Sequence, residues 1–443
     1  MALPPLDALT ARLDNALAET PPGRCIWVAL SGGLDSSLLL TLAADACQRS
    51  GHRLAAIHVN HGLQEAATAF EQHCRQLCQS LPVPLTIAHV AVDTCSGQGL
   101  EGAARQARYA AFASHLATGD LLWLAQHQDD QAETLLLAAL RGSGIRGLAG
   151  MPAVRHWQGL TLVRPWLDIS QDQLNEAAEQ KSLSWVDDPT NAQCEADRNF
   201  LRHRILPVLE TRWKGAGQRL ARVAQRAAEA DTLLNEYALD ELASLCGETG
   251  GLEVAALLAR SQPRQRLLVR TQCQRLGLPT PPAKRLESLL AQLGAAPDAQ
   301  VRVVWPGGEG RVWQGQLYLL DATAEPESWA QAWSGKTPLV TPLGGRAFSV
   351  LPEAGMQWPD GELQARWRQG GEVLQLAGRG RRDLKRLLQE ARLPPWERER
   401  VVVLTAASDS QCIAALHSPS GLSWVAAGWR LIWHDPGVSA ELE

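Results

Sequence analysis

The stretch Ser31-Gly32-Gly33-Leu34-Asp35-Ser36-Ser37 constrains this chain more than any other. It follows an apolar run, Cys25 to Leu30, with the length and composition of a buried strand. An alanine- and leucine-rich segment comes next and ends at Gly51, which predicts a helix with a glycine stop. Two glycines between strand and helix let the backbone approach a ligand, and successive N–H groups at the positive end of a helix dipole form a phosphate cradle. Ser31, Ser36 and Ser37 add hydroxyl donors. Asp35 is the informative residue, because a carboxylate beside such a cradle makes sense mainly as the holder of a divalent cation. The spacing is not that of a Walker A loop, which needs a Lys after its last glycine.

Residues 1 to about 214 alternate strand and helix, the sign of a parallel sheet covered on both faces. Strands are expected at Leu54–Asn60, Leu85–Val92 and Leu121–Ala125, and helices at Glu65–Leu81 and Glu101–Ala117, the last carrying Arg105, Arg108 and Tyr109. Polar residues gather just after the strands, at the edge where open α/β sheets bind ligands. The fourth strand runs into Gln126-His127-Gln128-Asp129-Asp130-Gln131-Ala132-Glu133-Thr134. Asp129 reads as a helix cap, and Asp130, Glu133 and Thr134 then share one helix face. Two carboxylates there can coordinate a cation or hold a protonated amine, the alternative being an acidic first turn favoured by the dipole.

Past Trp213 the alternation stops. Residues 215–321 read as mainly helical with short strands around Gly307-Gly308 and Gly315, residues 322–356 as a Pro/Gly-rich linker that includes a further strand or two, and 357–435 as a small α+β domain. No apolar run approaches the roughly 20 residues needed to span a bilayer, and residues 1–20 lack a secretory pattern. Nine cysteines, irregularly spaced and with no CxxC pair, suit a reducing cytoplasm and argue against a metal or iron–sulfur site. The net charge of −5 would argue against nucleic acid, but arginines cluster at 198–204, 212–222, 264–270 and 379–386. Local basic patches bind phosphate backbones whatever the total charge.

The string SGGLDSS resembles the PP-loop of the ATP pyrophosphatase superfamily. Together with HVNHGL, LEGAARQARYAAF, HQDDQAETLLLAALRGSGIRGLAGM and DRNFLRHRILPVL, in that order over residues 25–210, it resembles the tRNA(Ile)-lysidine synthetase family. The resemblance implies an α/β fold: a parallel-sheet PP-loop ATPase domain (1–214), a mainly helical tRNA-binding domain (215–321) and a C-terminal α+β domain (357–435). It implies adenylation of the wobble cytidine of a CAU anticodon with ATP, displacement of AMP by L-lysine, and a switch from methionine to isoleucine identity. Carried over, Ser31, Gly32, Gly33, Leu34, Asp35 and Ser36 would bind ATP, with Asp35 a Mg2+ ligand. Asp130 and Glu133 would form the lysine and metal pocket, with the general base open between them. Arg202, with Arg198 and Asn199, would orient phosphate or substrate, and His127 and Asp129 would face the substrate.

In the last domain, Arg381 and Lys385 would share a face of a basic tRNA-binding helix. This chain departs from many members of the family in having Gln126 and Asn60 where histidines are common. The expected partners are tRNA(Ile), lysine and no membrane, with a homodimer left open and a cytoplasmic location. Two rivals are a PP-loop thiolase, which would need a cysteine pair near the site, and a non-catalytic tRNA-binding protein. The latter has no reason to keep Asp35, Asp130, Glu133 and Arg202 together.

Overall fold

The computed structural model describes residues 4–62, 67–92, 99–187, 196–247, 250–295, 301–322, 328–335, 337–341, 347–359, 361–406 and 411–434. They form two compact units, Met1–Tyr237 and Ala238–Glu443. The division falls inside a long helix rather than at the expected 214/215 boundary.

The first unit contains α1 (Pro5–Ala18), β1 (Cys25–Ala29), α2 (Leu34–Ser50), β2 (Arg53–Asn60), α3 (Ala67–Ser80), β3 (Leu85–His89), α4 (Gly99–His115) and β4 (Leu121–Trp123). It continues with α5 (Gln128–Leu140), α6 (Ile145–Leu148), β5 (Val154–Trp157), β6 (Leu160–Val163), α7 (Gln171–Gln180), α8 (Asp197–Phe200), a single π turn (Leu201–Ile205) and α9 (Leu206–Arg212). The sheet order is β3-β2-β1-β4-β6-β5, parallel except for β5. Because β1 pairs with β2 on one side and β4 on the other, the order reverses there, and the loops after β1 and β4 open a crevice at the carboxyl edge. Leu38, Leu39 and Leu40 of α2 are fully buried with Ile26 and Val28 of β1, which locks the helix to the strand it follows. Gly51 ends α2 at φ 75°, in the left-handed conformation that favours glycine.

The helix α10 (Ala216–Leu245) spans the division. The second unit then has β7 (Leu252–Glu253), α11 (Val254–Leu258), α12 (Gln262–Arg275), α13 (Ala283–Gln292), β8 (Arg302–Trp305), β9 (Gly308–Trp313) and β10 (Gln316–Leu320). These four strands form an antiparallel sheet, β7-β10-β9-β8, with its own core around Leu286, Leu289 and Leu317. The remaining elements are β11 (Ala330–Trp333), β12 (Ala347–Pro352), β13 (Leu363–Trp367), β14 (Val373–Leu376), β15 (Gly380–Asp383), α14 (Leu384–Glu390), α15 (Pro395–Arg398), β16 (Val402–Ala406), β17 (Cys412–His417), β18 (Leu422–Val425) and β19 (Trp429–His434). Trp396 of α15 meets Tyr318 edge-on at 5.3 Å, and Arg311 lies 5.3 Å over its ring, joining the last strands and helices to the β9–β10 hairpin.

Two expectations are corrected here. The strand or two expected within residues 322–356 are β11 and β12, but they do not belong to a linker, because β11 pairs with β13 and β12 with β19. Trp333, Phe348 and Val350 bury into the same core as β13 and β16, so these strands complete the C-terminal domain. Arg381 and Arg382 are not helical either. They lie on β15, which pairs with β14, and Asp383 accepts the Lys385 N–H at 2.7 Å, so the helix starts only after them. Among the described residues no helix is long and apolar enough to cross a membrane.

Candidate active site

The loop after β1 is curled by its own serines. Ser36 Oγ accepts from Ser31 N at 3.1 Å, sits 2.9 Å from Ser31 Oγ and donates to Gly33 O at 3.2 Å. Gly32 has φ 93°, which favours glycine, and a Cβ there would meet the Phe70 ring at 3.1 Å, so that ring would have to shift slightly as well. Asp35 lies in the first turn of α2 with its side chain about one-third exposed. Gln171 Nε2 donates to its Oδ1 at 2.9 Å and His127 Nε2 stands 3.8 Å from its Oδ2. Burial raises the Asp35 carboxyl above its ordinary value, while His127 and Gln171 work against that rise.

Across the crevice, α5 begins at the carboxyl end of β4. His127, not Asp129, is its cap: the backbone there is extended, and the Asp129 N–H reaches His127 Nδ1 at 3.3 Å. Asp130 Oδ2 accepts the His127 N–H at 3.1 Å and completes the reciprocal arrangement. Asp129 instead uses Oδ2 to accept Gln171 N at 2.8 Å. His127 is only 2% exposed and is ringed by Asp35, Asp129 and Asp130. Burial disfavours its imidazolium, but the three carboxylates outweigh burial and hold its pKa above the ordinary value.

Glu133 is fully buried, one turn along the same helix. Its carboxylate is held by two arginines: Arg198 Nε at 2.6 Å, and Arg202 through Nε at 2.5 Å and Nη2 at 3.0 Å. Both also reach Asp130 Oδ1, at 3.2 and 2.9 Å. Arg198 is on α8 and Arg202 in the π turn, a distortion that recurs where helices carry functional groups. Burial penalises the Arg202 guanidinium, yet Glu133 and Asp130 raise it above its ordinary value.

The structure thus gathers Ser31–Ser36, His127, Asp129, Asp130, Glu133, Arg198 and Arg202 around one crevice. Asn199 lies between the arginines on α8. Arg381 and Lys385 are exposed in the second unit, on β15 and α14. The arginines expected to face phosphate are turned onto the acid pair, which leaves Glu133 with both oxygens engaged. Gln171 escaped the sequence reading although it ties Asp35 to Asp129. The Ser170–Gln173 reciprocal cap of α7 was its one sequence signal.

Gln126 accepts from Arg164, and Asn60 donates to Glu71 at 3.1 Å, so the two departures from the family's histidines have structural partners. Among the described residues no group of three or more His, Cys, Asp or Glu side chains could cage a metal. Mg2+ needs only one or two protein carboxylates when substrate phosphates supply the rest, and Asp35 at the rim of the loop fits that demand.

Comparison with known proteins matches residues 6–209 to a PP-loop domain family, 252–318 to the TilS substrate binding domain and 363–433 to the TilS substrate C-terminal domain. The tRNA(Ile)-lysidine synthase of Alkalilimnicola ehrlichii is 42% identical over 434 residues, 96% of this chain and 97% of that protein. The enzyme of the same name from Xanthomonas campestris is 42% identical over 395 residues, 88% and 90% of the two chains. That from Pseudomonas syringae is 41% identical over 443, covering 97% and 96%. Among solved structures, a U34-tRNA thiolase from Methanococcus maripaludis is similar over 51% of this chain and 79% of its own, at 18% identity and TM-score 0.42. With relatives above 40% identity along nearly its whole length, the chain belongs to the tRNA(Ile)-lysidine synthase family.

Proposed function

We propose that this enzyme ligates L-lysine onto the wobble cytidine of the CAU anticodon of tRNA(Ile), through an adenylated cytidine, forming lysidine and releasing AMP and pyrophosphate. The carrying observation is the meeting, at one switch point, of the serine-curled loop with the His127–Asp130–Glu133–Arg198–Arg202 cluster. A cytidine carbonyl oxygen is a poor leaving group, and transfer of AMP to it makes it a good one. The loop amides and Ser31 and Ser36 hydroxyls would grip the departing pyrophosphate. Asp35 would hold Mg2+, which when bound neutralises phosphate charge.

In the second step a bond forms between lysine Nζ and the ring carbon, and the carbon–oxygen bond breaks as AMP leaves. The ammonium must first lose a proton. We assign that task to Asp130, the one acid of the pair with an oxygen clear of the guanidiniums, in contact with His127. Glu133 is a positioning residue that fixes Arg198 and Arg202. A tRNA substrate and free thiols suit a cytoplasmic site.

The test is incubation with ATP, labelled lysine and tRNA, followed by mass spectrometry of the modified nucleoside. AMP, pyrophosphate and lysine-bearing cytidine are expected in equal amounts. ATP turnover without lysine in the tRNA would overturn the assignment.

A further inference from the structure

Helix α7 closes its own N-terminus with Ser170 and Gln173, so Gln171 at its first position is not needed as a cap. Both of its nitrogens reach across to other elements instead. The backbone N–H, one of those a helix leaves unpaired in its first turn, donates to Asp129 Oδ2 at 2.8 Å. The side-chain Nε2 donates to Asp35 Oδ1 at 2.9 Å and lies 3.2 Å from Asn175 Oδ1, one turn along α7. A carboxylate has no hydrogen to give, so the amide must turn its nitrogen end to Asp35. Asp35 and Asp129 stand at the starts of α2 and α5, the helices that follow the loops after β1 and β4. One residue therefore bridges the two sides of the crevice.

The segment around Gln171 is built to hold it there. Leu174, Ala177 and Ala178 of α7 share a core with Leu38, Leu39 and Leu42 of α2, which fixes α7 against the helix that carries Asp35. Just before α7, Ile169 O accepts the Gln128 N–H at 2.8 Å, and beyond it the Val186 N–H donates to Gly32 O at 3.1 Å. With its backbone pinned on both sides, the Gln171 side chain gives up little further freedom in making its bond. The second oxygen of Asp35, Oδ2, faces His127 Nε2 at 3.8 Å, too far for a hydrogen bond. The Gln171 bond thus sets the turn of a carboxylate that is otherwise one-third exposed at a helix start.

We propose that Gln171 is a positioning residue of the nucleotide site: it holds Asp35 by Oδ1, keeps that carboxylate turned for the divalent cation that accompanies ATP, and ties it to Asp129 at the start of α5. This rests on the function proposed above, in which Asp35 holds Mg2+. A carboxylate that ligates a metal depends on the hydrogen bonds that orient it, and loss of such an outer partner typically costs 10- to 100-fold in metal affinity.

The test uses Gln171→Met, which keeps the length of the side chain, removes the donor and leaves the backbone N–H on Asp129 in place. Mn2+ serves as the probe ion. Dissociation constants of a non-hydrolysable ATP analogue are measured at equilibrium with Mn2+ and with EDTA, for wild type, Gln171→Met and Asp35→Ala, and their ratio reports what the metal adds. Electron paramagnetic resonance of the bound Mn2+, tRNA affinity and melting temperature are read on the same samples. In Gln171→Met the ratio should fall by roughly 10- to 100-fold, towards that of Asp35→Ala, with the metal-free analogue and tRNA bound as in wild type. A wild-type ratio in Gln171→Met, while Asp35→Ala loses it, overturns the proposal alone. Equal weakening of the metal complex, the metal-free analogue and tRNA would mark Gln171 as a structural tie and overturn it too. A wild-type ratio in Asp35→Ala would take the metal from Asp35, which overturns the underlying reading together with this one.

Discussion

Replacement of Glu133 by Gln separates a positioning role from a substrate-binding one. The Glu133 carboxylate is fully buried and accepts from Arg198 Nε, Arg202 Nε and Arg202 Nη2. A glutamine keeps the shape, but its amide nitrogen would point donors at guanidinium donors, and neither arginine would face a charge at this position. Breaking a buried ion pair costs about 3–5 kcal/mol. Arg198 and Arg202 keep Asp130 Oδ1, and their side chains are 25% and 36% exposed, so Asp130 and water offset part of the loss. About 2–4 kcal/mol should remain. For a unit of this size each kcal/mol moves the melting temperature by roughly 2–4 °C, so the expected fall is about 4–16 °C.

Thermal unfolding followed by circular dichroism reads the first quantity, and steady-state kinetics with lysine and ATP varied separately reads the second. Glu133→Gln should be destabilised and should lose both half-reactions together, because the arginines it orients serve both. An unchanged melting temperature, with only the KM for lysine raised, would refute this reasoning and return Glu133 to the lysine pocket.

Asp35→Ala is expected to abolish pyrophosphate release while tRNA binding persists, and pyrophosphate release at the wild-type rate would remove the metal role from this residue. Arg381→Ala combined with Lys385→Ala should weaken tRNA binding and flatten its salt slope by about two units, as measured by titration at several salt concentrations. The strand-and-helix placement of these residues keeps both exposed, and coincident slopes would show that the tRNA is gripped elsewhere. Glu372 offers a pH test. Burial would raise its carboxyl, but the Gln369 N–H at 2.7 Å and Arg366 at 3.1 Å prevail and hold it below the ordinary value. A depressed folded pKa contributes stability that is present above the unfolded value of about 4.3 and is lost as pH falls through the folded value. Urea unfolding should therefore show wild type exceeding Glu372→Gln most at neutral pH, with the gap closing below about pH 4.

Local pattern carried much of this protein. The apolar run Cys25–Leu30, the SGGLDSS turn and the glycine stop at Gly51 are short-range signals, and β1, the loop and α2 formed where those signals predict them. The DDQAE run likewise set Asp130 and Glu133 on one helix face, because residues three apart on a helix must be neighbours. A cap is also local, yet the choice between His127 and Asp129 depended on what else could satisfy Asp129. That partner, the Gln171 N–H, lies 42 residues away.

What only the tertiary structure decided are the pairings between distant segments. Motif spacing alone could not foresee that Arg198 and Arg202, 65 and 69 residues after Glu133, would turn inward to the acid pair. The reason is the cost of burying a carboxylate, which any nearby guanidinium relieves once α8 packs on α5. Nor could local reading foresee that β11 and β12 would join the last domain, since edge pairing and a shared apolar core are settled between strands far apart in the chain. Sequence by itself determined the kind of chemistry available here: a phosphate loop, an acid pair and arginines. Folding decided which of those charges are already neutralised within the protein, and so which remain for a substrate, because that depends on distances across the crevice.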